Sequence, residues 1–191
     1  RRRASGGALI LFIGALIAPV LAWAAPPVVK TVPWLGEDPL VPHDTWSGKT
    51  ITLKGTCDIQ GADVQYYWDF GDGSPVASGT VANRYAVEAK HAYTGAVGLV
   101  ITATLTVENT ATGEQSSKPY FVRIQNKTLP IEVNVAIDEG LWYLFKNATR
   151  SNGQYYWNNA PSGGYTGYYS NPTASAVQAF EIHGHHEDQP D

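Results

Sequence analysis

The sequence predicts a mainly β protein, an antiparallel β-sandwich with an N-terminal signal helix and a C-terminal α-hairpin. Three observations carry that prediction. Apolar and polar residues alternate through Lys49–Ile124, turn-forming residues recur about every ten positions, and only from Ala136 does the apolar spacing become helical. With 43% hydrophobic and 12% aromatic residues among 191, the chain can fill a core, which excludes wholesale disorder. The single cysteine, Cys57, excludes an intramolecular disulfide and a cysteine-rich zinc site. No methionine occurs, even at position 1, so the chain is expected to be cut from a longer reading frame.

Residues 1–24 read as a signal peptide. Arg1–Arg3 give a positive start, Ala8–Leu21 an apolar stretch broken by Pro19, and Ala22-Trp23-Ala24 a small-x-small cleavage site. The competing reading, a membrane anchor, wants ~20 uninterrupted apolar residues. The expected location is secreted, periplasmic or cell-surface. Cleavage leaves 167 residues, room for one domain and part of a second. It also removes three arginines and takes the formal charge from −4 to −7, which argues against a nucleic-acid partner; no membrane contact is expected after cleavage. Residues 25–47, with prolines at 26, 27, 33, 39 and 42, read as a Pro-rich linker running into a first edge strand, because proline fixes φ and donates no hydrogen bond.

The sandwich is expected over 48–125. Ile51, Leu53 and Cys57 share one parity against Thr50, Thr52, Lys54 and Thr56. Val64, Tyr66, Trp68 and Phe70 form a second face, and Val97, Leu99, Ile101, Ala103, Leu105 and Val107 a third and longest one. Tyr120, Val122 and Ile124 close the set after the turn-rich stretch 109–114. Such alternation with polar residues outward implies two antiparallel sheets face to face. At ~1.5–3 kcal/mol per large buried side chain, a dozen inward positions offset the ordering of the chain without a disulfide.

Within this region Trp68 and Phe70 point inward from a strand that stops at Gly71. Gly71 and Gly73 permit positive φ, and Asp72 between them accepts hydrogen bonds from the following amides. The tract is a corner device rather than a reactive centre. Downstream, His91-Ala92-Tyr93 precedes the long strand, and Tyr93 is expected to bury its ring and tie its hydroxyl to backbone.

Trp68-Asp69-Phe70-Gly71-Asp72-Gly73-Ser74, then His91-Ala92-Tyr93, then Leu105-Thr106-Val107 closely resemble the PKD (polycystic-kidney-disease) domain, an immunoglobulin-like β-sandwich. The resemblance runs from residue 34 to residue 125, half of the chain. It implies a non-catalytic extracellular module that serves as spacer, adhesion element or substrate contact, with Trp68, Asp69, Phe70, Gly71, Asp72, Gly73, His91 and Tyr93 as its structural motif. Two departures stand out: Pro75–Lys90 is long enough for an extra hairpin or loop, and Glu108-Asn109 stands where the family often has an Asp-containing turn. Relatives in secreted peptidases hold calcium in sandwich loops. Here loop 58–63 offers only Asp58 and Asp63, where calcium wants six or more oxygens, so turn-forming aspartates are the stronger reading.

Residues 126–134 read as a linker and 135–191 as a helical hairpin. Ile137, Leu141, Leu144 and Phe145 fall at helical spacing over 135–148, with Asn134 as cap and Asp138 and Glu139 in the first turn. Residues 151–170 form a Gly/Asn/Tyr-rich loop without a usable period, and Asn171-Pro172 opens a second helix that Gly184 stops. The hairpin resembles one unit of the α/α-toroid repeats of squalene-cyclase and prenyltransferase type, through Ala136-Ile137, Gly140-Leu141, Leu144, Asn152-Gly153, Trp157 and Ala174–Phe180. The family's catalytic carboxylate motif does not occur, and a single unit cannot bury its own faces. The resemblance therefore implies the first repeat of a truncated domain; the alternative is a hairpin that simply docks on the sandwich.

Several side-chain groups invite a functional reading. His183, His185, His186, Glu187 and Asp188 are metal-capable, but they lie past the helix stop in a polar tail, which favours a solvated linker. Tyr155, Tyr156, Trp157, Tyr165, Tyr168 and Tyr169 offer faces for sugar CH groups or for covering the hairpin. Asn126-Lys127-Thr128 and Asn147-Ala148-Thr149 are formal glycosylation sequons. No Gly-x-Ser-x-Gly occurs, His186-Glu187 lacks the second histidine of a zinc hydrolase, and Cys57 sits on a strand face. No catalytic, cofactor or metal residue is expected. The reading is an exported, non-catalytic surface or envelope protein whose partners are a glycan, another surface protein or downstream domains. The competing class is the accessory region of an exported hydrolase or polysaccharide-processing enzyme whose catalytic residues lie beyond Asp191.

Overall fold

The computed structural model describes residues 25–31, 42–152, 154–157 and 170–182. The expected signal peptide over 1–24, the aromatic segment 158–169 with Tyr165, Tyr168 and Tyr169, and the His183–Asp188 tract with the Gly184 stop lie outside the described residues.

The strands are β1 (Val29–Thr31), β2 (His43–Trp46), β3 (Thr50–Cys57), β4 (Val64–Asp69), β5 (Ala77–Thr80), β6 (Val87–Ala92), β7 (Val100–Asn109) and β8 (Glu114–Gln125). Helix α1 (Leu129–Asn147), strands β9 (Thr149–Ser151) and β10 (Gln154–Tyr156), and helix α2 (Ser170–Ile182) follow. One sheet has the order β1-β3-β6 and the other β2-β8-β7-β4-β5. Their inner faces meet over Ile51, Leu53, Trp68, Phe70, Ala103, Leu105, Tyr120, Val122 and Ile124, all buried, so the two-layer sandwich expected from the alternation is the observed one. Trp68 sits at its centre, edge-on to Tyr120 with ring centroids 5.8 Å apart, its indole N–H donating to the Val87 carbonyl at 3.3 Å. The turn between β7 and β8 is built by Asn109, whose carbonyl accepts the amides of Thr112 (3.1 Å) and Gly113 (2.8 Å) and whose side chain accepts that of Ala111 (3.1 Å). The long Pro75–Lys90 stretch carries β5, which forms an antiparallel hairpin with β4.

Several expectations need correction. The sandwich begins before residue 48, since β1 pairs antiparallel with β3 and β2 pairs with β8. The β2–β8 pair is parallel, so the five-stranded sheet is mixed; the bidentate Asp44–Arg123 pair (2.7 and 3.0 Å) sits at its register. Val97 and Leu99 are exposed, because Gly98 (φ 89°) turns the chain before β7 and breaks the phase of the longest alternation. Thr52 and Lys54, expected to face solvent, are buried beneath α1.

The helix also starts earlier than expected, at Leu129 rather than 135, which shortens the 126–134 linker. Thr128 takes the extended N-cap position, Pro130 fits the first turn, and Asn134 lies inside the helix rather than capping it. Thr149–Ser151 and Gln154–Tyr156 pair as the short antiparallel β9–β10 hairpin at the start of the stretch expected to be an irregular loop. The side of α1 that meets the sandwich carries Val135, Asp138, Glu139, Trp142 and Lys146, while Ile137, Leu141 and Leu144 stay half-exposed. Polar partners on β3 and β6 select that face.

Candidate functional site

The glycine corner follows β4. Asp69 accepts the Gly71 amide (2.9 Å) and Asp72 the Ser74 amide (3.0 Å), two small side-chain turns in succession. Gly71 has φ 73°, and a Cβ there would stand 1.9 Å from the Thr102 carbonyl oxygen, so no other residue fits without displacing β7. His91 stacks on Phe70 (centroids 4.0 Å apart), meets Tyr93 edge-on at 4.6 Å and donates to Asp72 at 2.7 Å. The motif residues from Phe70 to Tyr93 thus form one contiguous knot. Partial burial pushes the Asp72 carboxyl up, but the hydrogen bonds from His91 and Ser74 and the His91 charge hold it below its ordinary value. The Tyr93 ring is buried as expected; its hydroxyl is not tied to backbone but buried without a hydrogen-bond partner among the described residues, and burial pushes its pKa up. The contact with backbone comes instead from its carbonyl, which accepts the Gly48 amide at 2.8 Å.

A second cluster lies beneath α1 and draws on both sheets: Thr52 and Lys54 of β3, His43 of β2 and Tyr120 of β8. Lys54 Nζ donates to Asp138 Oδ2 and stands 3.7 Å from Glu139 Oε1. Glu139 is held by Thr52, which donates its amide and its hydroxyl at 2.8 Å each. His43 Nε2 lies 3.0 Å from Asp138 Oδ2, outside the angle of a directed hydrogen bond, and its Nδ1 is 2.6 Å from the Tyr120 hydroxyl. Side-chain exposure is 1% for Lys54, 6% for His43 and 21% for Asp138, so these groups meet with little water between them. Burial pushes the Asp138 carboxyl up; His43 and Lys54 outweigh it and bring the ionised pair's carboxyl to about 2. Burial drives the Tyr120 phenol well above its usual range, helped by the charges of Asp138 and Glu139, so it stays protonated. One turn along, Trp142 donates its indole N–H to Glu88, which also takes Lys146 Nζ at 2.9 Å.

Several of the remaining candidate groups among the described residues are occupied structurally. Cys57 is buried, donates to the Ile59 carbonyl at 3.0 Å and has its thiol pushed up to about 11 by burial, a poor state for a nucleophile. The Asp58 carboxylate accepts the Val28 amide at 2.8 Å and so anchors the start of β1. Among the described residues no three His, Cys, Asp or Glu side chains are grouped to hold a metal ion, and no helix is long and apolar enough to cross a membrane. Trp157 donates its indole N–H to the Leu144 carbonyl at 2.8 Å and tilts against Phe180, and the Tyr155 ring lies 5.3 Å from the Arg150 guanidinium, so both aromatics are engaged locally.

Sequence reasoning missed the Lys54–Asp138–His43–Tyr120 cluster. Its signal was present: Val135, Asp138, Glu139, Trp142 and Lys146 recur at the same helical spacing as an apolar stripe, with two acids where a stripe would have leucines.

No protein-family model matches the chain. No curated protein matches it either. Among solved structures, the chain is similar to the PKD domain of an M14-like peptidase from a Thermoplasmatales archaeon, with a TM-score of 0.35 and 17% identity over 53% of this chain and 94% of that one.

Proposed function

We propose that the sandwich is a non-catalytic module of an exported surface or envelope protein, acting as a spacer, adhesion element or ligand-presenting domain. The observation that supports this reading is where the ionisable groups are spent. Lys54, Glu88, Asp138, Glu139 and Lys146 satisfy one another across the seam between sheet and α1, which fixes the direction in which the chain leaves the sandwich. A spacer needs such a fixed exit. The helices after it are read as one unit of an α/α repeat, and the exposure of Val133, Tyr143, Val177 and Ile182 supports a neighbouring unit that would cover them.

Residues 25–191, immobilised and offered glycans and surface proteins, are expected to bind without turning over peptide or polysaccharide substrates. Turnover by this segment alone would overturn the proposal. Turnover that requires sequence after Asp191 would favour the accessory region of a hydrolase.

A further inference from the structure

We propose that Lys54 and Asp138 join, after folding, in an intramolecular amide bond that fastens α1 to β3. Three features of the seam carry it. An amine and a carboxyl group, 84 positions apart in sequence, are in direct contact, the amine almost fully buried and the carboxyl about four-fifths so. A second carboxylate, Glu139, stands 3.7 Å from the amine and is locked there by two hydrogen bonds from Thr52. A histidine ring lies 3.0 Å from the carboxyl oxygen that would depart, and its other nitrogen is engaged by a buried phenol. In the neutral tautomer whose Nδ1 accepts the Tyr120 hydroxyl, the ring hydrogen sits on Nε2, on the Asp138 side of the ring.

The chemistry balances without any other reagent. Transfer of one proton from the Lys54 ammonium through Glu139 leaves a neutral amine, whose lone pair attacks Asp138 Cγ and forms the C–N bond. The tetrahedral centre then expels Oδ2. The C–O bond breaks and that oxygen departs as water, carrying the two protons that the ammonium has lost, one relayed through Glu139 and one through His43 Nε2. Ammonium plus carboxylate thus become amide plus water, with no change in net charge. The resting ion pair needs only an internal proton transfer to reach its neutral form, a step that costs less where the amine is shielded from solvent than it does in water. Condensation that is unfavourable between free groups in water becomes accessible when folding holds them at an effective concentration of about 10⁵ M or more. Lys54 is paired with Glu88 of β6 and sits next to Gly55, where the β1 pairing begins, and Asp138 lies in the middle of a helix, so neither partner can swing away.

The test is a mass measurement on the purified, folded full chain, denatured and digested with trypsin. Cleavage after Lys54 should be blocked, and a branched peptide should join residues 50–84 to residues 128–146, lighter than the sum of the two by one water. Asp138→Asn should give the same branch with loss of ammonia relative to its own linear peptides, and Lys54→Arg should give none. Glu139→Gln should leave a larger unjoined fraction, and an unchanged yield would overturn the proton-carrier role of Glu139. Separate, full-mass Lys54 and Asp138 peptides from the folded wild-type chain would overturn the bond. So would a water loss that maps to Asp72-Gly73, where a cyclic imide could form instead. The wild-type result stands even if a variant fails to fold.

Discussion

The molecule has two buried interfaces of opposite character. Between the two sheets, Trp68, Leu105, Tyr120, Val122 and Ile124 exclude water by area alone; between the three-stranded sheet and α1, Lys54, Thr52, Asp138, Glu139, Glu88 and Lys146 are buried or half-buried and match charge to charge. The first contact tolerates small slips, because dispersion and hydrophobic burial are non-directional. The second tolerates none, since each buried charge is costly without its partner. The inner layer therefore supplies stability and the outer layer supplies orientation.

That division can be broken, beginning at the centre. Trp68→Ala removes the largest fully buried side chain and should cost about 3–5 kcal/mol by urea unfolding; a loss below about 1 kcal/mol would mean the sheets are held by something else. Gly71→Ala should cost on the order of 2 kcal/mol or more, because a positive-φ penalty adds to the clash with Thr102. Gly73→Ala, at φ 83° with nothing near its Cβ position, should cost only the backbone share, about 1–2 kcal/mol. Equal thermal shifts for the two glycine variants would remove the contact with β7 from the account.

The outer seam should respond more weakly and more locally. Glu88→Ala deprives the buried Trp142 indole of its acceptor and should cost about 1–2 kcal/mol. Faster hydrogen exchange should appear in α1 while β7 and β8 stay protected. Uniform acceleration through the sandwich would show that seam and core are a single cooperative unit.

The smallest effect concerns acid. The Asp72 carboxyl is lowered in the folded state, so its contribution is fully present above the ordinary carboxylate range and fades as pH falls through the lowered folded value. Wild type should exceed Asp72→Asn in melting temperature at neutral pH, and the gap should close in that acid window. A gap that widens on acidification would reverse the sign assigned to the His91–Asp72 contact.

How much of this was legible follows from the same contrast. The inner layer could be read because strand side chains alternate strictly and apolar residues have no other reason to do so, as the buried runs Ile101–Val107 and Tyr120–Ile124 show. The reading failed where a backbone feature broke the period, at Gly98, and where Thr128-Leu129-Pro130 opened a helix that the apolar spacing placed later. It failed again at α1, whose docking face is acidic. A hydropathy pattern assigns Asp138 and Glu139 to solvent, and only the position of Lys54 and Thr52 on the facing strand reverses that assignment. The partner 84 positions away carries the information, and no local window contains it. The knot of Phe70, Asp72, His91 and Tyr93 was legible as a set of residues, but its stacking was not.

The parallel ladder between His43–Trp46 and Val122–Gln125 has a mechanical consequence. A pull on the chain ahead of the first strand and on the chain beyond the second acts in opposite directions along one axis. Tension therefore loads the whole ladder in shear, and its rungs must give way together instead of unzipping one after another. A domain that bears load along its chain would be built in this way.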